Sequence, residues 1–189
     1  MAEVEQLWIG HAELCKLWFG QGRVDEYESR LQTLRQLLDA EQYSTLEAEL
    51  QELPARLDRD GQQAERLEQQ HQKRMYLLKA VRQVCAEMGF KETAGPRYAT
   101  PGDRRSRILL DVDTFSQGKI AFMLALDGIS SHSESATDRC FEQFDEISKY
   151  LRDRFEIETE FQPVDGQRPQ LIEKGEKDEP DGIERTAEA

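Results

Sequence analysis

Four arginines crowd into one short stretch of an otherwise acidic chain: Arg97, Arg104, Arg105 and Arg107, with Lys91 ahead of them and Tyr98 among them. A guanidinium presents a planar fork of donors that matches a carboxylate or a phosphate two bonds at a time. Gly95-Pro96 and Pro101-Gly102 mark the stretch as a loop, the kind of segment on which docking residues are displayed. Two readings stand side by side. Either the cluster receives an anionic ligand, a phosphate backbone or an acidic partner segment, or it pairs internally with the chain's surplus carboxylates.

Other residues could also carry chemistry. Asp111 and Asp113, with Asp127 and Glu134 further on, could offer oxygen ligands to Mg²⁺ or Ca²⁺. They read equally as the solvated face of a sheet, no EF-hand spacing is present, and no metal is expected. The run Ser130-Ser131-His132-Ser133-Glu134-Ser135 precedes a helix, a place where phosphate binds and where serines also serve as ordinary caps and turns. His132 as base and Cys140 as nucleophile would need a third, orienting group, which the sequence does not offer. It also contains no glycine-rich phosphate loop, no Cys/His metal spacing and no serine elbow. The expectation is a protein without catalytic residues and without a cofactor.

Composition narrows the partners. The 189 residues carry a formal net charge of −13, with 38% apolar and 33% charged residues. That balance suits a helical, surface-rich chain. It weighs against a general nucleic-acid binder, which needs local cation density, and it suits a partner with a basic surface. Cys15, Cys85 and Cys140 are odd in number and far apart, which fits reduced thiols in the cytoplasm. Met-Ala-Glu-Val-Glu lacks the basic start of a signal peptide, and no apolar run approaches the roughly 18 residues of a membrane span. A soluble, cytoplasmic chain is expected.

The elements that position these residues fall into two halves. Val4, Leu7, Trp8, His11, Leu14, Cys15 and Trp18 recur at helical spacing and stop at Gly20-Gln-Gly22. Val24, Tyr27, Leu31, Leu34 and Leu38 form a second stripe, and Tyr43, Leu46, Leu50, Leu53 and Leu57 a third. The five-residue step from Leu38 to Tyr43 breaks the register, and Ser44-Thr45-Leu46-Glu47 fits a capping box that starts a new helix. Pro54 predicts a kink or an early end, and Asp58-Arg59-Asp60-Gly61 reads as a turn. Residues 1–61 are therefore expected to fold as a helical hairpin or short coiled coil. Trp8, Trp18, Leu31, Leu34 and Leu50 are its candidate interface, either sealing the helices against one another or facing another chain.

From Gln62 a further helix runs to Phe90. Residues 62–74 are polar enough to read as a solvated connector, whereas Met75, Leu78, Val81, Cys85 and Met88 make a wide apolar stripe that Gly89 terminates. Beyond it, Lys91-Glu92-Thr93 could extend a short strand. Ile108–Val112 and Ile120–Leu126 alternate with period two, Asp127-Gly128 is a turn, and Ile129–Ser133 could pair as a third strand. A helix follows, capped by Ser135 or Thr137 and striped with Phe141, Phe144, Ile147, Leu151 and Phe155. Ile157, Thr159 and Phe161 alternate again. The fold class expected is α+β, with a small antiparallel sheet packed by two helices over residues 75–162. Residues 163–189 read as a disordered acidic tail.

Lys73-Arg74-Met75-Tyr76 through Glu87-Met88-Gly89-Phe90, then Gly118-Lys119-Ile120-Ala121-Phe122, Asp127-Gly128-Ile129 and Cys140, resemble uncharacterised bacterial proteins. Those look like accessory components encoded beside MoxR-type ATPases and von Willebrand A-type proteins in conflict and phage-defence systems. The resemblance covers about residues 73–161 and supplies no catalytic residue. It implies an assembly or adaptor role; the partners expected are proteins, among them an ATPase complex, with the chain in a homo-oligomer or hetero-complex and away from the membrane. The alternative expectation is an anion- or nucleic-acid-binding regulatory module built on the Arg97–Arg107 loop.

Overall fold

The computed structural model of the chain describes residues 1–114, 118–133, 138–164 and 168–173 and has an α+β fold. It divides into two compact units, residues 1–75 and 76–189. No described helix is long and apolar enough to cross a membrane.

The first unit holds α1 (Ala2–Phe19), α2 (Gln21–Asp39) and the first part of α3 (Tyr43–Glu87). Its core is the sum of three apolar stripes: Val4, Trp8, Cys15 and Trp18 of α1, Val24, Tyr27, Leu31 and Leu34 of α2, and Leu46, Leu53, Leu57 and Ala64 of α3. The register break between Leu38 and Tyr43 is a real helix end: Gln42 donates to the Leu37 carbonyl, and Glu41 takes a positive φ of 56°. The next helix begins at Tyr43, one residue ahead of Ser44.

Neither an early end at Pro54 nor a turn at residues 58–61 occurs in α3. The helix runs for 45 residues through Pro54 and through Asp58-Arg59-Asp60-Gly61 without a turn. Proline removes one backbone bond and crowds the preceding turn, but Leu53 and Leu57 on either side of it are buried, and their packing offsets the loss. Asp60 is not a turn residue. Its carboxylate accepts a 2.7 Å bond from the Tyr27 hydroxyl and lies 3.4 Å from Arg23 Nε, while Arg56 reaches Glu26 at 2.6 Å. Gly61 serves close approach instead of chain reversal, because a Cβ there would overlap the His11 ring. Residues 62–74, expected as a solvated connector, belong to this helical unit: Trp18 Nε1 donates to Glu68 at 3.2 Å, and its ring meets His71 edge-on at 5.7 Å.

The second unit is built on a meander. Strands β1 (Lys91–Tyr98), β2 (Ile108–Asp113), β3 (Lys119–Leu124) and β4 (Ile129–Ser133) pair antiparallel in the order β1-β2-β3-β4. The alternating residues of β2 and β3 separate as their period demands. Ile108, Leu110 and Val112 with Ile120, Phe122 and Leu124 are buried on one face. They join Leu77, Leu78, Val81, Val84 and Cys85 of α3 and Phe144, Ile147 and Leu151 of α4 (Asp138–Phe155) in a single core. Gly89 ends the long helix with φ 80°, and Phe90 donates back to the Cys85 carbonyl at 2.8 Å, a closure that glycine makes cheaply because it has no Cβ.

Strand boundaries differ from expectation at three places. β1 continues through Gly95-Pro96 to Tyr98, with register shifts on either side of Ala94. It lies at the sheet's edge, where a proline costs no ladder bond. β3 stops at Leu124 and does not reach Leu126, since Ala125 donates to the Gly128 carbonyl at 2.7 Å. The last strand, β5, spans Thr159–Val164 and pairs antiparallel with β6, Arg168–Glu173. Part of the stretch expected as tail is therefore a hairpin. The candidate caps Ser135 and Thr137 lie outside the described residues, as does the tail from 174 onward.

Buried groups give the fold a pH dependence, and burial, then the Asp60 charge, raises the Cys15 thiol in the same direction as the two larger cases that follow. Burial and the Asp60 hydrogen bond push the Tyr27 hydroxyl from 10.0 up to about 12. Burial, then the Glu92 charge, pushes the Cys85 thiol from 9.0 up to about 12. In the folded chain both stay neutral where the unfolded chain would already ionise them. Their stabilisation is complete below pH 9 and is lost as pH rises toward 12. Denaturation midpoints should fall across that window, and most of the fall should vanish in Tyr27→Phe combined with Cys85→Ala.

Candidate functional site

The turn from β1 to β2 carries most of the arginine cluster, and it is built rather than loose. Ala99 donates to the Arg107 carbonyl at 2.8 Å, so the hairpin is closed at its base. Asp103 accepts from the Arg105 amide through Oδ1 at 2.9 Å, the local side-chain turn that aspartate favours. Ser106 Oγ donates to the carbonyl of Asp103 at 2.7 Å and accepts from the Thr100 amide at 3.2 Å. Each bond is modest in water, about 1 kcal/mol net. Together they fix the backbone that carries Arg104, Arg105 and Arg107.

The arginines do not share one fate. Arg97, on β1, donates to Asp111 at 2.7 Å across the strand pair, an exposed pair on the surface of the sheet. Arg105 lies 3.6 Å from the Asp103 carboxylate yet keeps 60% of its side chain exposed. Arg107 is exposed and Arg104 half-buried. The tip thus exposes Arg105 and Arg107 and holds Arg104 half-buried, with Asp103 as the acidic residue of the turn. The planar donor fork of a guanidinium matches the geometry of a carboxylate or a phosphate.

The remaining candidates settle elsewhere. Trp8, Trp18, Leu31 and Leu34 are buried within the helical unit, and Leu50 is half-buried. Four of these five expected interface residues are therefore occupied by the chain's own core. Asp111 is taken by Arg97, and Asp113 faces Lys91 on one side and Lys119 on the other in strand register. Among the described residues no three His, Cys, Asp or Glu side chains gather as a metal would require. His132 sits on β4 opposite Ala121, and the Cys140 side chain lies outside the described residues.

Sequence reasoning did not single out Asp103 and Ser106, although their spacing around the arginines is that of a side-chain-closed turn. Comparison with protein-family models, with curated proteins and with solved structures finds no match.

Proposed function

We propose that the protein is a non-enzymatic adaptor that joins other proteins, using the β1–β2 tip as a docking point. The observation that carries this reading is the tip itself: three arginines held on a hydrogen-bonded turn in a chain of net charge −13. A preorganised surface loses less entropy on binding than a loose one. Arginine is also among the residues that dominate binding energy at interfaces. The resemblance to accessory proteins of MoxR-type ATPase systems supports an ATPase-associated bacterial defence complex as the assembly, in the cytoplasm. The test is affinity capture from the native host with wild type and with Arg104→Ala/Arg105→Ala/Arg107→Ala. Wild type should enrich a defined partner that the triple variant loses, and equal enrichment by both would overturn the role given to the tip.

A second reading keeps the same arginines but gives them phosphate. The forked geometry of the guanidinium favours it, and the net charge opposes it. Salt-sensitive binding of an oligonucleotide, absent in the triple variant, would select this reading over the first.

A further inference from the structure

The chain carries, at the opposite end of its charge range, a surface complementary to the arginine tip. Residues 36–55 contain five acidic side chains and no lysine, arginine or histidine. Asp39, Glu41, Glu47, Glu49 and Glu52 are all exposed. Among the described residues none of the five enters a salt bridge. They surround the α2–α3 turn, which is itself firm, since Ala40 donates to Gln36 and Gln42 to Leu37, both at 2.9 Å. The same turn exposes two large apolar side chains, Leu38 at 42% and Tyr43 at 60%.

We propose that the arginine tip of one copy receives the acidic α2–α3 end of a second copy. This rests on the adaptor reading and names a first partner for the tip. Exposed ion pairs contribute only about 0–1 kcal/mol each, so charge alone would make a weak contact. Tyr43 and Leu38 supply what charge lacks: an aromatic face for a guanidinium to stack on and apolar area to cover. The two surfaces differ, so the contact is heterologous. Each copy that uses its tip still offers its acidic end, and association proceeds head to tail into rings or open chains instead of stopping at a symmetric dimer.

Sedimentation velocity of the full chain tests this. At about 50 mM salt the mean mass should climb with concentration to more than twice 21.9 kDa, and at about 500 mM it should fall back toward the single chain. Arg104→Glu/Arg105→Glu/Arg107→Glu should remain a single chain, as should Glu47→Lys/Glu49→Lys/Glu52→Lys. An equimolar mixture of the two variants, whose charges are exchanged, should recover the wild-type distribution. Thermal melts of each variant confirm that its fold is kept. A wild type that stays at 21.9 kDa at high micromolar concentration and low salt would overturn the proposal, and so would a mixture that fails to associate. Either failure would leave the adaptor reading to its own capture experiment, because a monomer can still enrich a different partner through the tip.

Discussion

Trp18→Ala should destabilise the helical unit by about 3–5 kcal/mol, the usual range for removing a buried large aromatic side chain. Trp18 is 2% exposed, donates to Glu68 and packs edge-on against His71. Truncation would open a cavity and remove one donor to the Glu68 carboxylate, which Gln72 also serves. Trp18→Phe should recover part of the loss, because it restores ring volume without the indole N–H. Chemical denaturation followed by circular dichroism reads both variants. Were Trp18 a contact to another chain, the outcome would be different: the melt would hold, and only the association of the protein would change.

Gly61→Ala should also destabilise, by about 1–3 kcal/mol, the range for forcing extra atoms into a packed site. The direction is the informative part. Glycine inside a helix is ordinarily a liability of about 1 kcal/mol against alanine, so helix propensity alone predicts a gain. Sterics reverse the sign here, because the new Cβ would overlap Cγ, Cδ2 and Nδ1 of His11. Cγ is bonded directly to the His11 Cβ, so turning the ring about its own axis does not clear it. His11→Ala in the same chain should remove the conflict. The double variant should then exceed His11→Ala alone by the propensity term, giving a coupling of opposite sign to the single substitution. Equal effects of Gly61→Ala with and without His11 would show that the ring is not the obstacle.

These two positions also show where sequence reading stops. The fold class was legible because β2 and β3 alternate cleanly, Asp127-Gly128 closes a hairpin and Gly89 ends a striped helix. All are local signals, and period and turn chemistry act over a few residues. The course of α3 was not legible. Asp-Arg-Asp-Gly has the letters of a turn, and Tyr27, Arg23 and His11, from 33 to 50 residues earlier, hold it as helix. Pro54 has the same logic, since packing of Leu53 and Leu57 outweighs a local penalty. The polar 62–74 stretch looked solvated because its packing residues are Ala64, Glu68 and His71, of which only one is apolar. The start of β5 was legible in the alternation at Thr159 and Phe161, but its partner β6 was missed because Pro163 and Pro169, which stand opposite each other, read as strand breakers. At the candidate site the arginine cluster was visible as composition. That Arg97 leaves it for Asp111 follows from strand register, which the sequence does not display.

The order β1-β2-β3-β4 bears on how quickly the sheet can form. Each strand pairs with its neighbour in sequence, and the connections run only from Tyr98 to Ile108, Asp113 to Lys119 and Leu124 to Ile129. Closing such short loops costs little chain entropy, and topologies dominated by sequence-local contacts fold fast. The slow step then belongs to the long-range docking of α3 and α4 against the sheet. Core substitutions on those helices should therefore retard folding more than equal losses at the hairpin turns. The arginine tip, closed within its own hairpin, would be in place before the core beneath it is complete.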